Sequence, residues 1–212
     1  NNEFVNIDSA LVVLGNSANP RIKQNLFYFN RYLEEDIGCM AIYAENSTNL
    51  IVKNNTINAY DYGLISSNAT VEFTNNIHWK KNPQNEPVTI SDNMDVRFCD
   101  IARPEDAVYP GTGNINQDPM FYAVSNANFS LITGSPCIDA GNPADSLDPD
   151  SSVRDMGKYY APYLDDFDAE HMFGANSYQV QFSESSSGFN VNNTTWSWDT
   201  NNDGSSDITG IN

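Results

Sequence analysis

The chain has 212 residues and carries 28 Asp and Glu against ten Lys and Arg, a formal charge of −18. That charge argues against nucleic-acid or anionic-membrane partners, and no apolar run is long enough to span a bilayer. Cys39, Cys99 and Cys137 are too few, and odd in number, for a disulfide framework; buried thiols are expected, with one pair left open.

The first residues, Asn1-Asn2-Glu3-Phe4, match a later stretch, Asn54-Asn55-Thr56-Ile57. The sequence is therefore expected to start at a corner in mid-repeat and to be part of a longer multidomain chain. Leu50 to Ile57 shows the unit in full: a short strand, an Asn-Asn corner and a return into strand. Val71 to Ile77 repeats it with one residue fewer, Val96 to Ile101 more loosely, and Ile22 to Phe27 more weakly. The anchors Ile22, Val52, Phe73 and Phe98 are spaced 30, 21 and 25 residues apart, the range of repeat architectures. A second set, Val12, Ile42, Leu64 and Val88, precedes the first at near-constant distance, with Leu14, Ala44, Ser66 and Ile90 two positions on. Two short strands per period are expected. Apolar residues alternate by two, with Val71 and Phe73 inward and Glu72 and Thr74 outward, rather than recurring at helical spacing. The fold class read from this pattern is all-β: a right-handed parallel β-helix over residues 1–161, with coils at 1–110.

Asn tolerates left-handed backbone geometry at the corner. Its amide can also bond an Asn one layer away, at the ~4.8 Å spacing of stacked strands. Asn54 and Asn75, joined by Asp100 and Gln24, are the expected ladder; the alternative is that the Asn pairs only mark turns.

The variable segments all leave the same corner: Tyr28 to Gly38, Asn58 to Tyr62, His78 to Glu86 and Ala102 to Pro110. Stacking would set them side by side along one edge, and loops held on a rigid scaffold often carry function. Tyr28, Tyr32, Tyr60, Tyr62, Trp79, Arg103 and Tyr109 are the candidate substrate-binding residues, because aromatic faces flanked by polar groups suit sugar rings. The competing reading folds these aromatics back to cover the stack. His78 reads as a loop residue, and no zinc spacing or nucleophile elbow appears.

From Gly111 to Tyr160, Pro and Gly at close intervals forbid long regular elements. Gly113-Asn114-Ile115, Asp118-Pro119-Met120-Phe121, Gly134-Ser135-Pro136-Cys137-Ile138-Asp139-Ala140-Gly141 and Arg154-Asp155-Met156-Gly157 follow in order. This series resembles the closing segment of secreted bacterial right-handed parallel β-helix proteins, with Ser151-Ser152 departing from that pattern. The resemblance covers residues 111–161 and implies a secreted or cell-surface location. Asp139, Asp148, Asp150 and Asp155 read as turn caps and partners of Arg154, with a metal site as the alternative.

Residues 162–212 change character again. Phe167 to Glu170, Val180-Gln181-Phe182 and Trp196-Ser197-Trp198 follow at strand spacing. They resemble the first half of a PKD domain, an immunoglobulin-like β-sandwich, which would be truncated at Asn212. Asp199, Asn201, Asp203 and Asp207, with Gly204 in the turn, resemble a calcium loop; the alternative is a strand-connecting turn. Calcium is the one cofactor under consideration.

Three functions fit: a non-catalytic extracellular segment that binds polysaccharide or adheres, a piece of a polysaccharide lyase or glycoside hydrolase, and a structural stalk. Resemblance to β-helix lyases and hydrolases carries the second. It would draw charge from Lys80, Lys81 or Arg103 and carboxylates from Glu34, Glu35, Asp36 or Asp106.

Overall fold

The computed structural model describes residues 2–7, 9–15, 19–29, 38–80, 88–89 and 93–161, and the strands at 167–173, 178–184, 195–198 and 208–211. The chain divides into two compact units, Asn1–Pro162 and Tyr163–Asn212. Among the described residues there is no α-helix, and none long and apolar enough to cross a membrane.

The first unit is built from three parallel sheets that the chain visits in strict rotation. One holds β1 (Glu3–Val5), β4 (Leu26–Tyr28), β7 (Thr56–Asn58), β10 (Ile77–Trp79) and β13 (Asp100–Ile101). The second holds β2 (Ser9–Leu14), β5 (Met40–Glu45), β8 (Tyr62–Ser67) and β11 (Val88–Thr89). The third holds β3 (Arg21–Lys23), β6 (Leu50–Lys53), β9 (Thr70–Thr74) and β12 (Asn93–Arg97). Each full circuit thus contains three strands, where the sequence pattern predicts two. The strand before the Asn corner and the strand after it belong to different sheets.

The alternation by two sets which side chains enter the core. Leu50 and Val52 of β6 are buried while Ile51 and Lys53 are half-buried. Ile22, Val52, Phe73 and Val96 form one inward row, and Leu11, Ile42, Leu64 and Val88 share one register. At the chain start, Phe4 falls in one register row with Phe27 and, a layer further on, Ile57, as the sequence predicts, its ring stacked on Phe27 at 4.8 Å.

Two predicted anchors are off register. Val12 pairs with Tyr43 and is 50% exposed, while Leu11 takes the place opposite Ile42. Leu11-Val12-Val13-Leu14 is apolar throughout, so alternation selects no face there, and a one-residue slip exchanges the two faces. Leu14 is accordingly 60% exposed. Phe98 is not opposite Phe73; Val96 is. Phe98 occupies the corner itself at φ 51, and a Cβ at Gly113 would meet its ring at 2.4 Å. Packing against the closing segment offsets the steric cost of a bulky residue in left-handed geometry. Thr74, predicted outward, is fully buried, and Ile90 lies outside the described residues.

The corner divides its work between the two Asn. The first position is left-handed: Gln24 at φ 53, Asn54 at 51, Asn75 at 56. The second position makes the ladder, a correction of one residue to the predicted Asn54 and Asn75. Asn25 Oδ1 accepts the Asn2 backbone N–H at 2.9 Å, Asn55 Oδ1 accepts that of Asn25 at 2.9 Å, and Asn76 Oδ1 accepts that of Asn55 at 2.9 Å. Cys99 takes the next rung, its sulfur accepting the Asn76 N–H, and Asn114 Oδ1 accepts the Cys99 N–H at 3.0 Å. The carboxamides are buried and bonded, so the ladder satisfies backbone groups that water cannot reach. Asp100 is not a rung; it sits in β13 opposite Ile77.

Residues 102–161 close over one side of this stack. Phe121–Ala123 (β14) and Asn128–Leu131 (β15) form an antiparallel pair, and Leu131, Cys137 and Met156 bury Ile77. Phe129 meets Tyr28 edge-on at 4.9 Å. Gly157 has φ 90, and a Cβ there would lie 2.8 Å from Ile77 and 2.9 Å from Thr56. Only glycine combines that backbone with so close an approach.

The second unit contains two antiparallel strand pairs, Phe167–Phe173 (β16) with Tyr178–Glu184 (β17), and Thr195–Trp198 (β18) with Ile208–Ile211 (β19).

Candidate functional site

The variable connections do leave a common sheet, after Tyr28, Asn58, Trp79 and Ile101, so their roots lie along one edge. The aromatics at those roots mostly turn inward. Tyr60 is fully buried, donates its hydroxyl to the Ile7 carbonyl at 2.9 Å and meets Phe29 edge-on. Tyr28 is buried under Phe129, and Tyr109 is buried in the main core. These three cannot offer a ring face to a sugar, which corrects their expected role; covering apolar surface outweighs leaving it wet. Tyr62, Trp79 and Arg103 are half-buried. Trp79 packs on the cluster around Met156. Arg103 lies 5.3 Å over the Tyr109 ring and donates to the Val108 carbonyl. Tyr32, Glu34, Glu35, Asp36 and Lys81 lie outside the described residues, as do Asp199, Asn201, Asp203 and Asp207 of the proposed calcium loop.

A residue that sequence reading missed organises the same edge. Asp61 is buried and accepts the Gly38 N–H at 2.7 Å, the Cys39 N–H at 3.0 Å, the Cys39 thiol and the Lys80 ammonium. Four donors on one carboxylate hold the ends of two connections together. Beside it, His78 is a strand residue of β10 rather than a loop residue. It is 1% exposed and lies against Gly63, with Nε2 at 3.1 Å from the Tyr60 carbonyl. Burial pushes its pKa down to about 4, so it is neutral at physiological pH.

The closing segment uses its acids as turn caps, as the sequence predicts. Asp148 pairs with Arg154 at 3.2 Å and accepts the Asp155 N–H; Asp150 accepts from Ser152; Asp155 accepts the Asp139 and Ala161 N–H groups. Among the described residues no three His, Cys, Asp or Glu side chains converge as a metal site. Burial raises Asp155 to about 6. Deeper in, Asp100 accepts the Cys137 thiol at 3.2 Å and the Gln117 N–H at 3.1 Å, and burial raises its pKa to about 7. All three cysteines are buried as thiols outside any disulfide. The Cys99 thiol is pushed up to about 12 and Cys137 rises as well, which leaves both unreactive.

Where the closing segment meets the corners of the stack, a cleft of about 310 Å³ opens between Gln24 and Asn54 on one side and Asp148, Arg154, Lys158, Tyr159 and Tyr160 on the other. Its floor is tightly held: Asn54 Nδ2 donates to the Asp155 carbonyl, the Gly157 N–H to the Asn75 carbonyl, and the Lys158 N–H to Thr56 Oγ1. The available sequence signal was Lys158-Tyr159-Tyr160 directly after a glycine, a cation and two aromatics at the end of an otherwise small-residue segment.

No family model matches this chain, and no curated protein or solved structure matches it.

Proposed function

We propose that residues 1–161 form part of a right-handed parallel β-helix from a secreted or cell-surface protein, followed by a PKD-like β-sandwich segment, and that the molecule binds glycan without transforming it. Support for the β-helix comes from three in-register parallel sheets visited in rotation, since parallel strands joined in this way cross over right-handedly in nearly all cases. One observation carries binding over catalysis. Among the described residues, the buried and half-buried charged groups at the two edges are committed: Lys80 to Asp61, Arg154 to Asp148, and Asp155 to two backbone amides. A general acid or base must be able to release its partner during turnover.

The test is a panel of neutral and acidic polysaccharides incubated with the whole chain, scored both for binding and for products. Binding without new reducing ends or unsaturated ends supports the reading. Release of either kind of end shows an enzyme instead. The burial of Tyr28, Tyr60 and Tyr109 favours a second reading, a structural stalk. Failure to bind any glycan at millimolar concentration would leave that reading in place.

A further inference from the structure

We infer that the cleft between the Gln24 and Asn54 corners and the Arg154–Tyr160 segment is the glycan site, and that it takes a neutral sugar. The inference rests on the glycan-binding reading above and adds its location and ligand class. Three features of the cleft support it.

The first is shape. A volume near 310 Å³ is at the small end of ligand pockets and fits one or two sugar rings rather than a long chain. The second is the aromatic wall. Tyr160 is 44% exposed, whereas Tyr28, Tyr60 and Tyr109 are buried. Its neighbour Tyr159 is half-buried and held in place, with the Lys158 ammonium 4.7 Å from its ring and its hydroxyl on Glu3. The exposed Tyr160 ring at the cleft offers the apolar surface that the C–H face of a pyranose requires.

The third is the balance of charge and hydrogen-bonding capacity. Each cation lining the cleft has a carboxylate: Arg154 pairs with Asp148 and Lys158 with Glu3. Glu3 pairs with Lys158 from just outside the lining, and with it counted the charges sum to zero when Asp155 is protonated and to −1 when it is ionised. An acidic sugar would find no uncompensated cation there, and the chain's charge of −18 would repel it at a distance. Lys23, next to Gln24, is exposed and makes no ion pair among the described residues, but it does not line the cleft. Neutral hydroxyls are better served. Lys158 retains donors beyond its bond to Glu3. Asn54 gives its amide to Asp155 and keeps its carbonyl. Gln24 stands exposed at a left-handed corner. Donors and an acceptor thus border an aromatic face on a rigid floor.

Titration calorimetry with neutral oligosaccharides (gluco-, galacto-, manno- and xylo-series) and with oligouronates, joined to amide spectra of the whole chain, tests this. The expected result is that one neutral series binds, shifts the side-chain amides of Gln24 and Asn54, and loses about tenfold in affinity in Tyr160→Ala. That variant is at an exposed position and should melt with the wild type. Neutral binding that ignores Tyr160→Ala and shifts Tyr62 and Trp79 instead would overturn the location while leaving glycan binding intact. Preferred binding of oligouronates would overturn the ligand class. No binding by either class would overturn this inference together with the reading it rests on.

Discussion

At the scale of single residues, the second Asn of each corner carries most of the local specificity. Asn76 is fully buried; its oxygen takes the N–H and amide of Asn55, and its amide donates to the carbonyls of Val52 and Thr74. Asn76→Ala strands those groups without water, and a loss of about 3 kcal/mol is expected by urea denaturation. Cys99 fills the equivalent position with one weak donor for two carbonyls, those of Phe73 at 3.5 Å and Arg97 at 3.2 Å. Cys99→Asn supplies both donors, and a gain of about 1 kcal/mol is expected in the same experiment. A loss would mean that the site cannot accept the added volume. Gly157→Ala forces a left-handed alanine onto Ile77 and Thr56, and a loss of about 2 kcal/mol or more is expected.

At the scale of elements, the strands are too short to stand alone and depend on the layers to either side. Phe73 of β9 sits between Val52 and Val96 with no exposed surface. Phe73→Ala should cost about 4 kcal/mol, since rigid neighbours collapse poorly into the cavity. The period, the alternation and the corners were legible in these elements. The register of β2 was not, because four consecutive apolar residues carry no face preference. Nor was the placement of Phe98, which depends on Gly113 from a segment that local patterning does not connect to it.

Across the whole of the first unit, buried titratable groups shift stability in opposite pH senses. Asp100 faces Cys137 and Gln117, with Asp118 the nearest further charge. Its folded pKa of about 7 lies well above the ordinary carboxylate value, so between the two the folded state holds a proton that the unfolded state has released. Stability from this group is therefore present at low pH and lost as pH rises toward 7; Asp155, near 6, acts in the same direction. His78 acts oppositely: its folded pKa of about 4 is below the ordinary imidazole value of about 6.5, so it costs stability as pH falls through that range. Asp100→Asn should raise the melting temperature at about pH 8 and leave it nearly unchanged at about pH 4, measured by calorimetry. An equal effect at both would show that the Asp100 proton is not involved.

Sequence alone determined that this is a chain of short strands turned at asparagine corners on a period of 21 to 30 residues, because alternation and left-handed tolerance are properties of residues and their immediate neighbours. It also marked the closing segment's acids as turn caps, since most of those bonds stay within seven residues along the chain, as from Asp148 to Asp155 and from Asp150 to Ser152. Only the tertiary structure decided which Asn forms the ladder, that Tyr28, Tyr60 and Tyr109 face protein, and where the cleft opens. Those outcomes depend on which side chain lies one layer away or across the closing segment, and a chain folded over distances of 20 to 100 residues does not encode such neighbours in any local pattern.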